Sequence, residues 1–159
     1  MFNAETILAL EQSARSQGSE IQPASLEGVW RLKQTWTRDG NRPSPGTDPL
    51  LRSLGAQFSL SSSDDGWEIV NQVVLGALQL RFEGPARLSG SRPLLVFHFH
   101  TVKLMLGGIT LLNRSIPEPP RQRQPFFALI ATTADGQWLT ARGRGGGLAL
   151  WMKSALPSQ

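Results

Sequence analysis

Short alternating segments separated by glycine-containing turns fill this chain from residue 28 to residue 152, and that spacing restricts it to antiparallel sheet. The clearest segment is Leu78-Gln79-Leu80-Arg81-Phe82-Glu83, where Leu78, Leu80 and Phe82 share one face. Phe58 and Leu60 alternate with serines, and Asp64-Asp65-Gly66 is a turn signal into Trp67 to Leu75. Gly107-Gly108 joins Leu94–Leu106 to Ile109–Leu112. Asp135-Gly136 joins Phe126–Thr133 to Trp138–Arg142, and Gly143 to Gly147 turns into Leu148–Met152. About eight or nine short strands at this spacing predict an all-β fold, either a closed barrel or a sandwich.

The chain opens differently. Asn3 is a helix cap, and Ile7, Leu8, Glu11 and Ala14 fall at helical spacing, which predicts an amphipathic helix over 4–15. Gly18 and Pro23 end it. Residues 1–22 are therefore read as a helix and linker, and 23–155 as the sheet domain. An irregular loop is expected at 38–49 and a short helical turn at 50–54. Gly84-Pro85 is expected to break or bulge its strand. In Leu94–Leu106 the apolar set Leu95, Phe97 and Phe99 gives way past Thr101 to Val102, Leu104 and Leu106, so a bulge near residue 100 would keep both sets inward; otherwise the strand is buried on both faces.

At 159 residues, 40% hydrophobic and 18% charged, the chain can bury a core as one folded unit rather than remain disordered. With no cysteine, disulfides, thiolate metal sites and cysteine nucleophiles are excluded. No apolar run approaches the roughly 20 residues of a helical span. The acidic start is unlike a signal peptide, so a soluble intracellular protein without a leader is expected. The net charge of +4 is unevenly placed: residues 1–27 carry −3, 28–86 balance, and 87–159 carry +7. A basic second half is read two ways, as attraction to anionic surfaces, lipid headgroups or phosphates, or as a solvated surface with a modest excess of charge.

Several segments carry candidate chemistry. Leu80, Phe82, Phe97, Phe99 and Phe127 are expected to face inward, either filling the barrel or lining an apolar ligand cavity. Gly28 allows a tight entry to the first strand, and Trp30 is large enough to plug one end of a barrel. His98 and His100 have metal-ligand spacing in a strand, but no third donor is placed near them, so no metal site is assigned. Arg142-Gly-Arg-Gly-Gly-Gly is read as a glycine-rich hairpin rather than a nucleic-acid segment. Arg114, Arg121 and Arg123 lie on a proline-stiffened stretch. They are read two ways, as a solvated loop or as contacts to anionic headgroups with Leu104–Leu112 entering the interface. No catalytic residue and no cofactor are assigned.

In order, Leu26-X-Gly28-X-Trp30-X-Leu32, Val70-Asn71, Ala86 to Gly90, Val96 to Phe99, and Arg142-Gly143 with Gly146 and Leu148 to Trp151 resemble the plastid lipid-associated proteins, or fibrillins, in their small cyanobacterial form. The likeness covers roughly residues 26–153. The family's Tyr-X-Asp step is absent, and Leu139 stands near the place of a second arginine. The resemblance implies a lipocalin-like barrel that binds or sequesters a lipid, quinone or carotenoid without catalysis. It also implies that Gly28, Trp30, Arg142 and Gly143 close the barrel, with Arg142 over Trp30. The implied location is cytoplasmic, with peripheral contact at an anionic thylakoid membrane. Two rivals are a lipocalin-type bilin lyase or chaperone and a basic nucleic-acid-binding barrel; nucleic acid is not the expected partner.

Overall fold

Asn3 starts the fold as its sequence position requires. Its Oδ1 accepts a hydrogen bond from the Thr6 backbone N–H at 2.8 Å, and helix α1 runs Ala4–Gln17 to a Gly18 C-cap. The computed structural model describes residues 2–40 and 57–155. The loop expected at 38–49 therefore lies outside the described residues from 41 onward, as does the helical turn expected at 50–54. After α1, a single 3-10 turn over Pro23–Leu26 leads into sheet.

Ten strands follow among the described residues: β1 (Gly28–Trp36), β2 (Gln57–Ser63), β3 (Gly66–Leu75), β4 (Leu78–Ser89), β5 (Leu94–Phe97), β6 (Thr101–Leu106), β7 (Ile109–Ser115), β8 (Phe126–Thr132), β9 (Trp138–Gly143) and β10 (Leu148–Ser154). All pairings are antiparallel. Eight strands, β1, β2, β3, β4, β5, β8, β9 and β10, close on themselves, because β1 pairs with both β2 and β10 while β4 pairs with both β3 and β5. The all-β barrel with one leading helix is the fold. β6 and β7 stand outside this cylinder, continuing from β4.

The partner change along β4 has a local cause. Ala86 faces Phe97 of β5 and Glu83 faces Thr101 of β6. Two residues of β4 thus oppose three, His98, Phe99 and His100, which is a bulge with one extra residue. The bulge corrects the phase change near residue 100, so the inward face holds Leu95 and Phe97 before it and Val102 and Leu104 after it. β4 runs unbroken through Gly84-Pro85, and of the expected break or bulge it is a bulge that occurs at this step, with its extra residue on the facing strand. A Cβ at Gly84 would sit 1.8 Å from the His98 carbonyl oxygen. Glycine is present here so that two backbones can meet.

The barrel centre is packed. Trp30, Phe58, Leu60, Ile69, Leu95, Leu129 and Leu139 are at most 2% exposed, and Phe58 meets Trp151 edge-on at 4.6 Å between centroids. A second apolar cluster lies outside the wall, where Ala4 and Ile7 of α1 cover Trp36, Ile130, Leu148 and Leu150. Glu11, on the buried face of the same helix, reaches the Arg142 guanidinium at 2.6 and 2.7 Å.

Candidate functional site

Directly opposed residues in an antiparallel ladder share a face, so register alone shows how the barrel's inner surface continues. Asn71, Phe82, Val102 and Arg114 form one row across β3, β4, β6 and β7. Val73, Leu80, Leu104 and Leu112 form the next row, and Leu75, Leu78, Leu106 and Ile109 the last. Among the described residues, the β2 pairing reaches only to Gln57 opposite Gln72, and β5 ends at Phe97 opposite Ala86. The outer rows therefore project past both neighbouring strands as a four-stranded apron. Its inner face is the barrel's inner face, now open.

Where the packed interior meets this apron there is a cleft of about 320 Å³, lined by Leu32, Gln57, Asn71, Val73, Phe82, Phe99 and Trp151. Phe82 and Phe99 lie 5.4 Å apart in a tilted pair, and Phe99 in turn packs on Phe97 at 5.5 Å. The aromatic chain continues inward from Phe97 to Phe127 at 5.4 Å. Five of the seven lining residues are apolar. Among the described residues the Gln57 and Asn71 amides make no hydrogen bond, and the Trp151 indole N–H is buried without an acceptor.

The five residues expected to line a cavity are divided by the structure. Phe82 and Phe99 line the cleft, Leu80 lies on the apron's middle row, and Phe97 and Phe127 pack against the aromatic core. Leu32, Gln57, Asn71, Val73 and Trp151 were missed. A signal existed for Asn71: it shares a period-two face with Ile69 and Val73, a lone amide on an apolar stripe. Gln57 and Trp151 come to the cleft only through pairings of strands far apart in sequence.

The closure residues are also rearranged. Trp30 is fully buried, and its Nε1–H donates to the Leu26 carbonyl at 2.9 Å. The cation over its ring is Lys153, at 5.1 Å from the centroid, not Arg142. Ala141 faces the core, so its neighbour Arg142 points outward, which overturns the expected Trp30–Arg142 stack. Arg142 instead binds Glu11 and donates to the carbonyls of Arg38 and Gly146. Its hydrogen bond with Glu11 raises the guanidinium above its ordinary value. The Arg142 hydrogen bond likewise holds the Glu11 carboxyl below the usual carboxylate value, against the opposing effect of burial. Gly28, at φ 131°, leaves room for Lys153 to cross: a Cβ there would lie 2.9 Å from Lys153 Cε. Gly143 accepts and donates in the β9–β10 turn, through Gly146 N–H and Gly147 O.

Among the basic residues, Arg114 is on β7, whereas Arg121 and Arg123 share an exposed 3-10 turn. That turn is held to the β9–β10 connection by Arg144, which donates to the Gln122 and Gln124 carbonyls. His98 and His100 lie in the bulge, with His100 Nδ1 2.8 Å from Thr101 Oγ1. Among the described residues no group of three metal-ligating side chains converges, and no helix is long and apolar enough to cross a membrane. No protein-family model matches the chain, and no curated protein matches it.

Proposed function

We propose that the protein binds a small apolar molecule at the cleft without chemical change to it, and that this molecule carries an oxygen-bearing head. The carrying observation is the cleft's lining: five apolar side chains around two carboxamides that have no other hydrogen bond among the described residues. Burying an amide without a partner costs free energy, so a ligand that covers Gln57 and Asn71 must supply acceptors or donors of its own. A lipid acyl ester, a quinone or an oxygenated carotenoid meets that requirement.

The size of the cleft limits what it holds. About 320 Å³ is at the lower end for small-molecule sites, enough for a ring or a headgroup with a few carbons. The remaining tail would lie along Leu80, Leu104 and Leu112 on the apron. Covering roughly 200 Å² of apolar surface contributes about 5 kcal/mol before the costs of association. Micromolar rather than nanomolar binding is the expected range.

A short-chain quinone and a medium-chain fatty acid should quench or shift tryptophan fluorescence, since Trp151 lines the cleft. Native mass spectrometry should show a one-to-one adduct. Val73→Phe places a ring in the cleft at a half-buried position and should weaken binding about tenfold. Absence of any adduct, or equal affinity in the variant, would refute the assignment.

A further inference from the structure

Among the described residues, none covers the apron's outermost row. Leu75, Leu78, Leu106 and Ile109 are 61%, 36%, 45% and 69% exposed, and Leu111 and Leu112 beside them are 56% and 39% exposed. The four residues of the row flank two glycine turns that stand side by side, joined by the Gly107 N–H to the Ala77 carbonyl at 3.0 Å. A Cβ at Gly76, Gly107 or Gly108 would meet nothing within 4 Å, so both turns project. Strand alternation turns these side chains to the inner face, but among the described residues no strand faces them there, so they stay exposed.

Charge along the two hairpins is ordered by depth. From Ile69 to Leu80 and from Leu104 to Asn113 there is no charged side chain. The first charges behind the tips are Arg81, Lys103 and Arg114 on β4, β6 and β7, with Glu68 farther back on β3. Arg81 is three residues from Leu78, and Lys103 three from Leu106. At about 3.3 Å per residue this places both cations roughly 10 Å behind the tips, the depth to which interfacial elements bury their apolar side. Arg81 and Lys103 are directly opposed across β4 and β6, an unfavourable like-charge pair relieved by one shared carboxylate, Glu83. Burial pushes the Glu83 carboxyl up, but the hydrogen bonds from Arg81 and Lys103 together keep it below its ordinary value. Arg114 adds a cation on the opposite face, in the row of Val102.

We propose that the twin-hairpin tip is a docking element for an anionic lipid surface, with Leu75, Leu78, Leu106 and Ile109 among the acyl chains and Arg81, Lys103 and Arg114 at the phosphates. Charge complementarity selects this occupant over a second copy of the chain. A copy would bring the same cations to the contact, whereas anionic headgroups neutralise them. Docked in this way, the open face of the apron forms an unbroken apolar path from the bilayer to the Phe82–Phe99 cleft. That path rests on the ligand reading above; the docking itself does not.

Vesicle co-sedimentation tests the proposal. The full chain should pellet with mixed phosphatidylglycerol–phosphatidylcholine vesicles and much less with phosphatidylcholine alone, and binding should weaken as salt rises. Leu106→Gln with Ile109→Gln should lower the affinity about tenfold and Lys103→Gln with Arg114→Gln about thirtyfold, since each cation near an anionic surface contributes about 1 kcal/mol. The tip pair is exposed, so unfolding midpoints close to the parent's should accompany the loss. Both variants should still bind the soluble short-chain quinone if the cleft reading holds. Vesicle binding without quinone binding would sink the cleft alone, and quinone binding without vesicle binding would sink the docking alone. A concentration-dependent dimer that dissolves in the tip variant, with no pelleting by the parent, would overturn the proposal in favour of self-association.

Discussion

Removing the Glu11 carboxylate should detach α1 from the barrel. Glu11 is 4% exposed, and its two oxygens meet Arg142 Nε and Nη2 at 2.7 and 2.6 Å, a fork-to-fork pair. Arg15, one turn later on the helix, adds a longer contact at 3.4 Å from an exposed position. Breaking a buried pair from one side leaves the other charge uncompensated and costs about 3–5 kcal/mol. Here Arg142 keeps two carbonyl acceptors, Arg38 O and Gly146 O. Glu11→Gln should therefore fall at the lower end, about 3 kcal/mol. Arg142→Gln also abandons those carbonyls and should cost more. The double variant should cost clearly less than the sum, because its second substitution removes a group that no longer has its partner.

The pH dependence has a definite sign. The folded Glu11 pKa lies below its ordinary value of 4.5. A group depressed on folding contributes stability that is complete above the unfolded pKa and is lost as pH falls through the folded one. Urea unfolding followed by tryptophan fluorescence should show the full gap between parent and Glu11→Gln at neutral pH, narrowing only below pH 4.5. A neutral-pH gap under about 1 kcal/mol would show that the pair is not coupled to folding, and so would a gap that does not narrow in acid.

Two other substitutions probe the wall itself. Gly84→Ala drives a methyl group into the His98 carbonyl, and with backbone on both sides nothing can yield cheaply; a loss of about 3 kcal/mol or failure to fold is expected, and a near-neutral result in chemical denaturation would contradict the close approach. Lys153→Met retains the stem that covers Gly28 but removes the ammonium over Trp30 and its bond to the Ser25 carbonyl at 3.1 Å. A loss of about 1 kcal/mol is expected, with a shift in tryptophan emission, and a stabilised variant would count against the cation–π contact.

Most strands were legible because each carries its own signal, period-two apolar residues between glycine turns, in segments short enough that helix was no competitor; β5 and β6, with no turn residue between them, read as the single segment Leu94–Leu106. α1 was legible for the matching reason, its cap and its 3.6-residue spacing. What the sequence could not reveal is which strand meets which. Closure of the barrel depends on β1 pairing with β10 across most of the chain, and local pattern does not encode that. The same limit explains the error at Arg142. Whether Ala141 or Arg142 faces the core depends on the pairing of β9 with β8 and β10, and Glu11 reaches Arg142 only after the helix has folded back over the outer wall. Lys153 was overlooked because a lysine at a strand end reads as solvated until a glycine, Gly28, is seen to make room for it. The expected aromatic residues lie in the core or at the cleft, but their number alone does not tell a lining from a filling. Phe97 and Phe127 fill, while Phe82 and Phe99 line, because the first pair lies where the wall is complete and the second where it opens.

That opening follows from one local irregularity. Without the extra residue at 98–100, Val102, Leu104 and Leu106 would turn to the outer face of the sheet, and the inner face of the apron would become polar at Lys103. With it, one long segment serves two purposes. Its first half, β5, pairs with β8 and completes the cylinder, and its second half, β6, leaves the cylinder and carries β7 with it. The wall is therefore interrupted beside the bulge, at Phe99 and opposite Phe82, which is where the cleft lies. Gly84 permits the close approach that the bulge requires, and Glu83, the adjoining residue of β4, binds Lys103 on the departing strand. The cleft, its apolar path and the exposed tip are thus consequences of a single bulged pairing, and substitutions that remove the bulge should abolish all three together while leaving the eight-stranded core with most of its buried contacts.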